Sequence, residues 1–203
     1  MGDKSQRNSK RFRVHLSVRY EVAREFVVEY AQNLSSGGLF IRGTTDLKPL
    51  ERVPVQIELP GFSKFLITAE VAHILTPEMA ATTGNAPGVG LSIIKTPTGF
   101  DEALSSYLMR LGKRPDYCVL VADNECRRLV TDAGYKTDAV PAATDLLGMI
   151  ARTTTPILAV VVSRAQEEEY KTVATQAGDP GLVFVIDYLE EMDDLLGRLD
   201  DAI

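Results

Sequence analysis

Alternation of apolar and polar positions dominates the first half of the chain. Val14, Leu16, Val18 and Tyr20 of "RVHLSVRY" fall on one side of an extended backbone, as do Phe26, Val28 and Tyr30 of "EFVVEYAQ". A period of two is what a half-buried antiparallel strand requires, and the two runs predict a hairpin around Ala23 and Arg24. "GLFIRG" comes next. "RVPVQIELP" then sets Val53, Val55, Ile57 and Leu59 on one face, and after the turn "PGFS" the stretch "KFLITAEVAHIL" does the same with Phe65, Ile67, Ala69 and Val71. "PGVGLSII" adds a sixth strand. Short alternating strands punctuated by Gly and Pro predict an all-β, six-stranded antiparallel barrel, which leaves no open edge for another chain to pair with. The period then becomes helical: "DEALSSYLMRLG" brings Leu104, Tyr107, Leu108 and Leu111 together and stops at Gly112, so a helix is expected to plug or flank the barrel.

At "KRPDY" the pattern changes. Four strand-then-helix repeats follow: "YCVLVA" with "NECRRLVTDAG", "KTDAV" with "AATDLLGMIART", "PILAVVVS" with "AQEEEYKTVATQAG", and "GLVFVID" with "LEEMDDLLGRLDDAI". Continuously apolar strands alternating with amphipathic helices predict a small α/β domain whose parallel sheet is covered on both faces. The expected division is a basic arm over 1–12, a β-barrel domain over 13–112, a linker over 113–115 and an α/β domain over 116–203.

Composition narrows the function classes. A chain of 203 residues, 45% hydrophobic and 25% charged, can bury real cores. Its longest apolar run, "ILAVVV", is far short of the roughly 20 residues that span a bilayer, and the polar N-terminus carries no signal-peptide core. No membrane insertion and a cytoplasmic location are expected. Cys118 and Cys126 match neither a disulfide framework nor a zinc spacing and read as small buried hydrophobes. A net charge of -6 argues against a nucleic-acid polymer as partner. That charge is uneven, with cations from Lys4 to Arg24 and, at the far end, Glu190, Glu191, Asp193, Asp194, Asp200 and Asp201. These acids are expected to form a face that meets a basic partner or the protein's own arm.

The candidate chemistry lies in "NLSSGGLFI". Asn33 offers an amide that donates and accepts, Ser35 a hydroxyl, and Gly38 a backbone that a ligand can approach closely. An Asx or Ser turn with glycines at positive φ would use the same residues. Upstream, "RNSKR" spaces Arg7 and Arg11 four apart, and guanidinium forks bind phosphate and the O6/N7 edge of guanine bidentately. Alone, such an arm reads as a solvated basic tail.

Taken together, these residues resemble the PilZ domain, a bacterial module with an R-x-x-x-R arm and a [D/N]-x-S-x-x-G motif on a six-stranded barrel. Asn33, Ser35 and Gly38 match the second motif at every specified position. The layout "VRYEVAREFVVEYAQNLSSGGLFIR" is similar to a PilZ subgroup common in myxobacteria, and "ELPG", "GVGLSI" and a closing helix follow in the family's order. The resemblance implies cyclic di-GMP as ligand, with arm arginines on phosphate and the guanine edge, Asn33 on a guanine, and Ser35 with Gly38 along the ligand's backbone. The arm departs from the pattern. The family's second arginine usually stands directly before the first strand's apolar residue, which is Arg13 ahead of Val14, and the position four earlier is then Ser9. Arg7 and Arg11 keep the spacing, displaced by two.

The second half resembles a response-regulator receiver that has lost its chemistry. In "CVLVADNECRRLVTDAGY", Asp123 stands at one of the two metal-binding acids and Ala122 replaces the other. Aligning "TPILAVVVS" puts Val162, or at most Ser163, at the phosphoacceptor position, and no lysine follows "VFVID". The nucleophile and half of the metal site are therefore missing, and Asp123 equally suits an N-cap of the helix from Asn124. His15 and His73 sit at no recognisable metal or triad spacing and read as surface or rim histidines; "GNAPGVG" lacks the ending of a phosphate loop. The expectation is a non-enzymatic bacterial signalling protein with no cofactor or metal, binding cyclic di-GMP and acting through an unidentified protein partner. The alternative is a nucleotide-independent adaptor in motility or polarity signalling. Nothing in the sequence sets an oligomeric state.

Overall fold

The computed structural model describes residues 10–22, 25–43, 46–84, 86–186 and 191–203. Arg7, the expected hairpin tip at Ala23 and Arg24, and Glu190 lie outside the described residues. The chain falls into two compact units, Met1–Leu108 and Met109–Ile203.

The first unit is an antiparallel sheet of β1 (Phe12–Val22), β2 (Glu25–Ser35), β3 (Gly38–Arg42), β4 (Arg52–Glu58), β5 (Lys64–Leu75) and β6 (Gly88–Lys95). The order is β1-β2-β3-β6-β5-β4, and β4 pairs back onto β1. Alternation decides which side chains go inside. Val14, Val18, Tyr20, Val53, Val55, Ile57, Ile67, Ala69 and Val71 are each buried, while their strand neighbours Arg19, Arg52 and Pro54 are exposed. Helix α2 (Phe100–Leu111) buries Phe100, Ala103, Leu104 and Tyr107, and the Phe100 ring meets Phe65 of β5 edge-on at 5.4 Å. The division between the units falls within this helix, ahead of the 113–115 stretch expected as a linker.

A short helix, α1 (Pro77–Thr83), was not anticipated from the sequence. Its signals are present: Thr76 accepts from the Met79 amide, Pro77 opens the first turn, and Gly84 closes it in the left-handed region at φ 67°. With Ala80 the one fully buried side chain among those described, its apolar periodicity is too weak to stand out among strands.

The second unit alternates β7 (Cys118–Val121), α3 (Asn124–Ala133), β8 (Lys136–Ala139), α4 (Ala143–Arg152), β9 (Ile157–Ser163), α5 (Glu167–Gln176), β10 (Val183–Ile186) and α6 (Glu191–Asp201). The four strands are parallel in the order β10-β9-β7-β8. Val119, Val121, Ala159 and Val161 pack with residues of α3 and α6 on one face. Leu120, Val160 and Val162 pack with residues of α4 and α5 on the other. That two-sided burial is why β7 and β9 read as continuous apolar runs, whereas edge strand β8 carries exposed Lys136 and Asp138.

One expectation about α6 fails. Asp200 is 1% exposed and belongs to no acidic surface. Arg114, itself fully buried within the 113–115 stretch, donates to it through Nε at 2.8 Å and Nη2 at 2.7 Å, and the Tyr135 hydroxyl donates to the same carboxylate at 2.7 Å. Arg114 Nη1 donates to the Ala133 carbonyl at 2.9 Å. Burial of an unpaired carboxylate would be prohibitive; here bidentate pairing fastens α6 to the start of β7 and the end of α3. Asp194 and Asp201 remain exposed.

Candidate ligand-binding site

The polar motif closes the β2–β3 hairpin. Ser35 pairs with Gly38 across a two-residue turn of Ser36 and Gly37, and the buried Ser35 hydroxyl donates to the Gly38 carbonyl at 3.2 Å. Gly37 O accepts from the Ile93 amide at 3.1 Å, tying the turn to β6. Neither Gly37 nor Gly38 has a positive φ, so the left-handed turn considered from the sequence does not form. Gly38 is needed for a different reason. A Cβ there would stand 2.2 Å from the Leu91 carbonyl oxygen of β6, closer than any side chain tolerates.

Strand register then brings the arm's root to the motif. Phe12 pairs with Leu34 and Arg13 pairs with Asn33, one position before the strand slips by a bulge between Arg13 and Leu16. Asn33 in turn pairs with Phe40 of β3, after a second slip between Ala31 and Asn33. Arg13 is half-buried; Arg11, directly before β1, is exposed, as is Lys10, whose ammonium lies 4.8 Å over the Phe12 ring. Of the expected binding residues, Arg13, Asn33, Ser35 and Gly38 therefore lie at adjoining register positions, Arg11 sits beside them, and Arg7 is outside the described residues. The side chains of Asn33 and His15 are also outside those described.

The same register extends further than sequence reasoning reached. Phe40 pairs with Gly90 of β6, and Gly90 pairs with His73 of β5. One row thus crosses five strands: Arg13, Asn33, Phe40, Gly90, His73. Strict alternation after Val71 would leave His73 on the inward side; the bulge between Val71 and His73 turns it outward, where it is exposed. A bulge has no sequence signature here, so the row was not legible in advance.

Among the described residues the second unit offers no comparable cluster. Asp123 accepts from the Cys126 amide at 2.8 Å as the N-cap of α3. Val162 is buried in the core, and Ser163 forms a capping box with Gln166, whose Oε1 accepts from the Ser163 amide at 3.4 Å. Burial, reinforced by the Asp123 carboxylate, pushes the Cys126 thiol up to about 12, and burial raises Cys118 as well, with Asp138 adding to it. Both thiols are free and stay protonated at neutral pH, without nucleophilic character. Tyr135 is raised by its burial and by Asp200. Among the described residues no group of three His, Cys, Asp or Glu side chains can hold a metal, and no helix is long and apolar enough to cross a membrane.

A family model described as the PilZ domain matches residues 5–110. Among solved structures, the chain is similar to the Bacillus subtilis inhibitor of motility MotI/DgrA, at 23% identity and a TM-score of 0.45, covering 54% of this chain and 53% of that one. It is also similar to Escherichia coli YcgR in complex with c-di-GMP, at 13% identity and a TM-score of 0.44, covering 53% and 46%. A third similarity is to the K. pneumonia MrkH–c-di-GMP complex, at 15% identity and a TM-score of 0.39, covering 52% of each chain. The matched region spans about half the length of these proteins. No curated protein matches the chain.

Proposed function

The chain belongs to the PilZ domain family, and from that premise we propose that it is a cytoplasmic cyclic di-GMP effector that works by contact with another protein rather than by catalysis. The closed ring of six strands, with α2 against it, is on this reading the family's barrel. One observation carries the ligand: β1–β2 pairing sets Arg13 opposite Asn33, two residues from Ser35 and its turn partner Gly38. An arginine, an asparagine and a serine then stand at adjoining register positions, residue types whose combination reads a phosphate and a guanine edge together. Register favours Arg13 as the arm's second arginine. Arg11 and Arg7 fall to supporting contacts with the phosphates.

The second unit is, on this reading, a receiver-like domain stripped of its chemistry. Its strand order in chain sequence is 2-1-3-4, the first four strands of the 2-1-3-4-5 doubly wound arrangement. Its phosphoacceptor position holds core residue Val162, and its remaining acid, Asp123, is engaged as a helix cap. It is left as a docking surface for the protein partner. Assignment to the myxobacterial subgroup rests on the hairpin sequence alone.

Titration calorimetry of the full chain with cyclic di-GMP tests the ligand. Micromolar affinity, about -8 kcal/mol, is expected; no heat and no chemical-shift change at millimolar ligand overturns it. The nucleotide-independent adaptor has one observation in its favour, the burial of Ser35 and its hydroxyl's use within the hairpin. The titration separates the two.

A further inference from the structure

The row that begins at Arg13 and Asn33 ends in two aromatic rings. Phe40 and His73 lie on either side of Gly90, their planes 25° apart and their centroids separated by 6.1 Å. They cover a floor of bare backbone. A Cβ on Gly90 would fall 2.0 Å from His73 Cε1, and one on Gly88 would fall 2.6 Å from Phe40 Cζ. Alternation along β6 puts Val89 and Leu91 inside the sheet and both glycines outside, yet Gly88 and Gly90 are buried. The covering rings account for it.

That arrangement needs three separate features. Glycine at positions 88 and 90 makes room, the bulge after Val71 turns His73 outward, and pairing of Phe40 with Asn33 joins the rings to the polar end of the row. We propose that Phe40 and His73 form a stacking platform for a guanine base of cyclic di-GMP, which rests on the ligand reading above. The chemistry is complementary. A purine has a large planar face that phosphate and edge contacts leave unsatisfied, and aromatic side chains on a sheet surface bind such faces in many nucleotide readers. Strands about 4.8 Å apart put Phe40 two spacings from Arg13, so a ligand held by its phosphate at the arm can lay a base across the intervening Asn33 position onto the ring.

Rings that merely shield glycine backbone would look alike, so the test must read stacking itself. The chain contains no tryptophan, which makes Phe40→Trp a single-fluorophore reporter. Its emission should be quenched saturably by cyclic di-GMP, with a midpoint equal to the calorimetric Kd. Phe40→Leu and His73→Leu keep an apolar cover over the glycines but present no π face. Each should weaken binding about tenfold, within the range known for loss of one base–aromatic contact, while His73→Phe retains affinity. Leucine variants that bind like the wild type, or a Phe40→Trp protein that binds with unchanged emission, overturn the platform and leave the ligand reading intact. Wild-type protein that fails to bind cyclic di-GMP overturns both. Should a leucine variant not fold, the tryptophan reporter and His73→Phe still decide the matter.

Discussion

Arg13 and Arg114 place the same guanidinium group in opposite settings. Arg13 lies half-buried on an antiparallel sheet, opposite an asparagine and at the root of a basic arm. Arg114 is wholly inside the second unit, with Asp200, Tyr135 and the Ala133 carbonyl around it. Arg114 has its countercharge built in and has become a structural fastener, whereas Arg13 is the residue proposed to meet a ligand. The same contrast holds for the acids of the second unit. Asp123, just past the carboxyl end of β7, caps its own helix, and Asp200 is buried against Arg114.

The sharpest way to break the contrast is to strip Arg114 of its role. Arg114→Ala, or Asp200→Asn, should destabilise the second unit by about 3–5 kcal/mol, since a buried charge loses its partner. Chemical denaturation measures it, and cyclic di-GMP affinity should not change. Replacing both residues by apolar ones of similar size should restore much of the loss; equal damage in single and double variants would mean the pair is not the fastener. On the other side, Arg13→Ala should weaken cyclic di-GMP binding by roughly 1.5–3 kcal/mol through loss of a charge-assisted contact, as titration calorimetry measures. A larger effect from Arg11→Ala would move the arm's register back by two residues.

A third measurement probes the buried thiol of the second unit. The Cys126 thiol ordinarily ionises near 9 and is held up to about 12 in the folded unit. The unfolded chain therefore releases its proton first, and stability contributed by this group is complete below about pH 9 and lost as pH climbs toward about 12. By about pH 10 the loss should be about 1.4 kcal/mol, seen as a falling melting temperature that Cys126→Ala flattens. The smallest effect belongs to the hairpin: Ser35→Ala removes one hydrogen bond to Gly38 and should cost about 1 kcal/mol of stability. A far larger loss of ligand affinity than of stability in this variant would show the hydroxyl turning to the ligand on binding.

Much of the architecture was legible from local pattern. Alternation marked β1, β2, β4 and β5, and the switch to continuous apolar runs marked the parallel sheet, because each depends only on which side of a strand meets solvent. The N-cap at Asp123 was equally readable, being a property of adjacent residues. What escaped was non-local. Arg114 looked like part of a linker and Asp200 like part of an acidic face, since no spacing rule relates residues 86 positions apart.

The candidate site divides along the same line. By itself, the sequence determined the candidate site's chemical inventory: Asn33, Ser35 and Gly38 at family spacing, with arginines ahead of the first strand. Only the tertiary structure decided which arginine meets the motif, why Gly38 must be glycine, and that Phe40 and His73 continue the row. Each of those outcomes turns on strand register and on bulges that shift it by one residue. Register is set by pairing energy summed over whole strands and by the packing of the opposite face, so no short stretch of the chain encodes it.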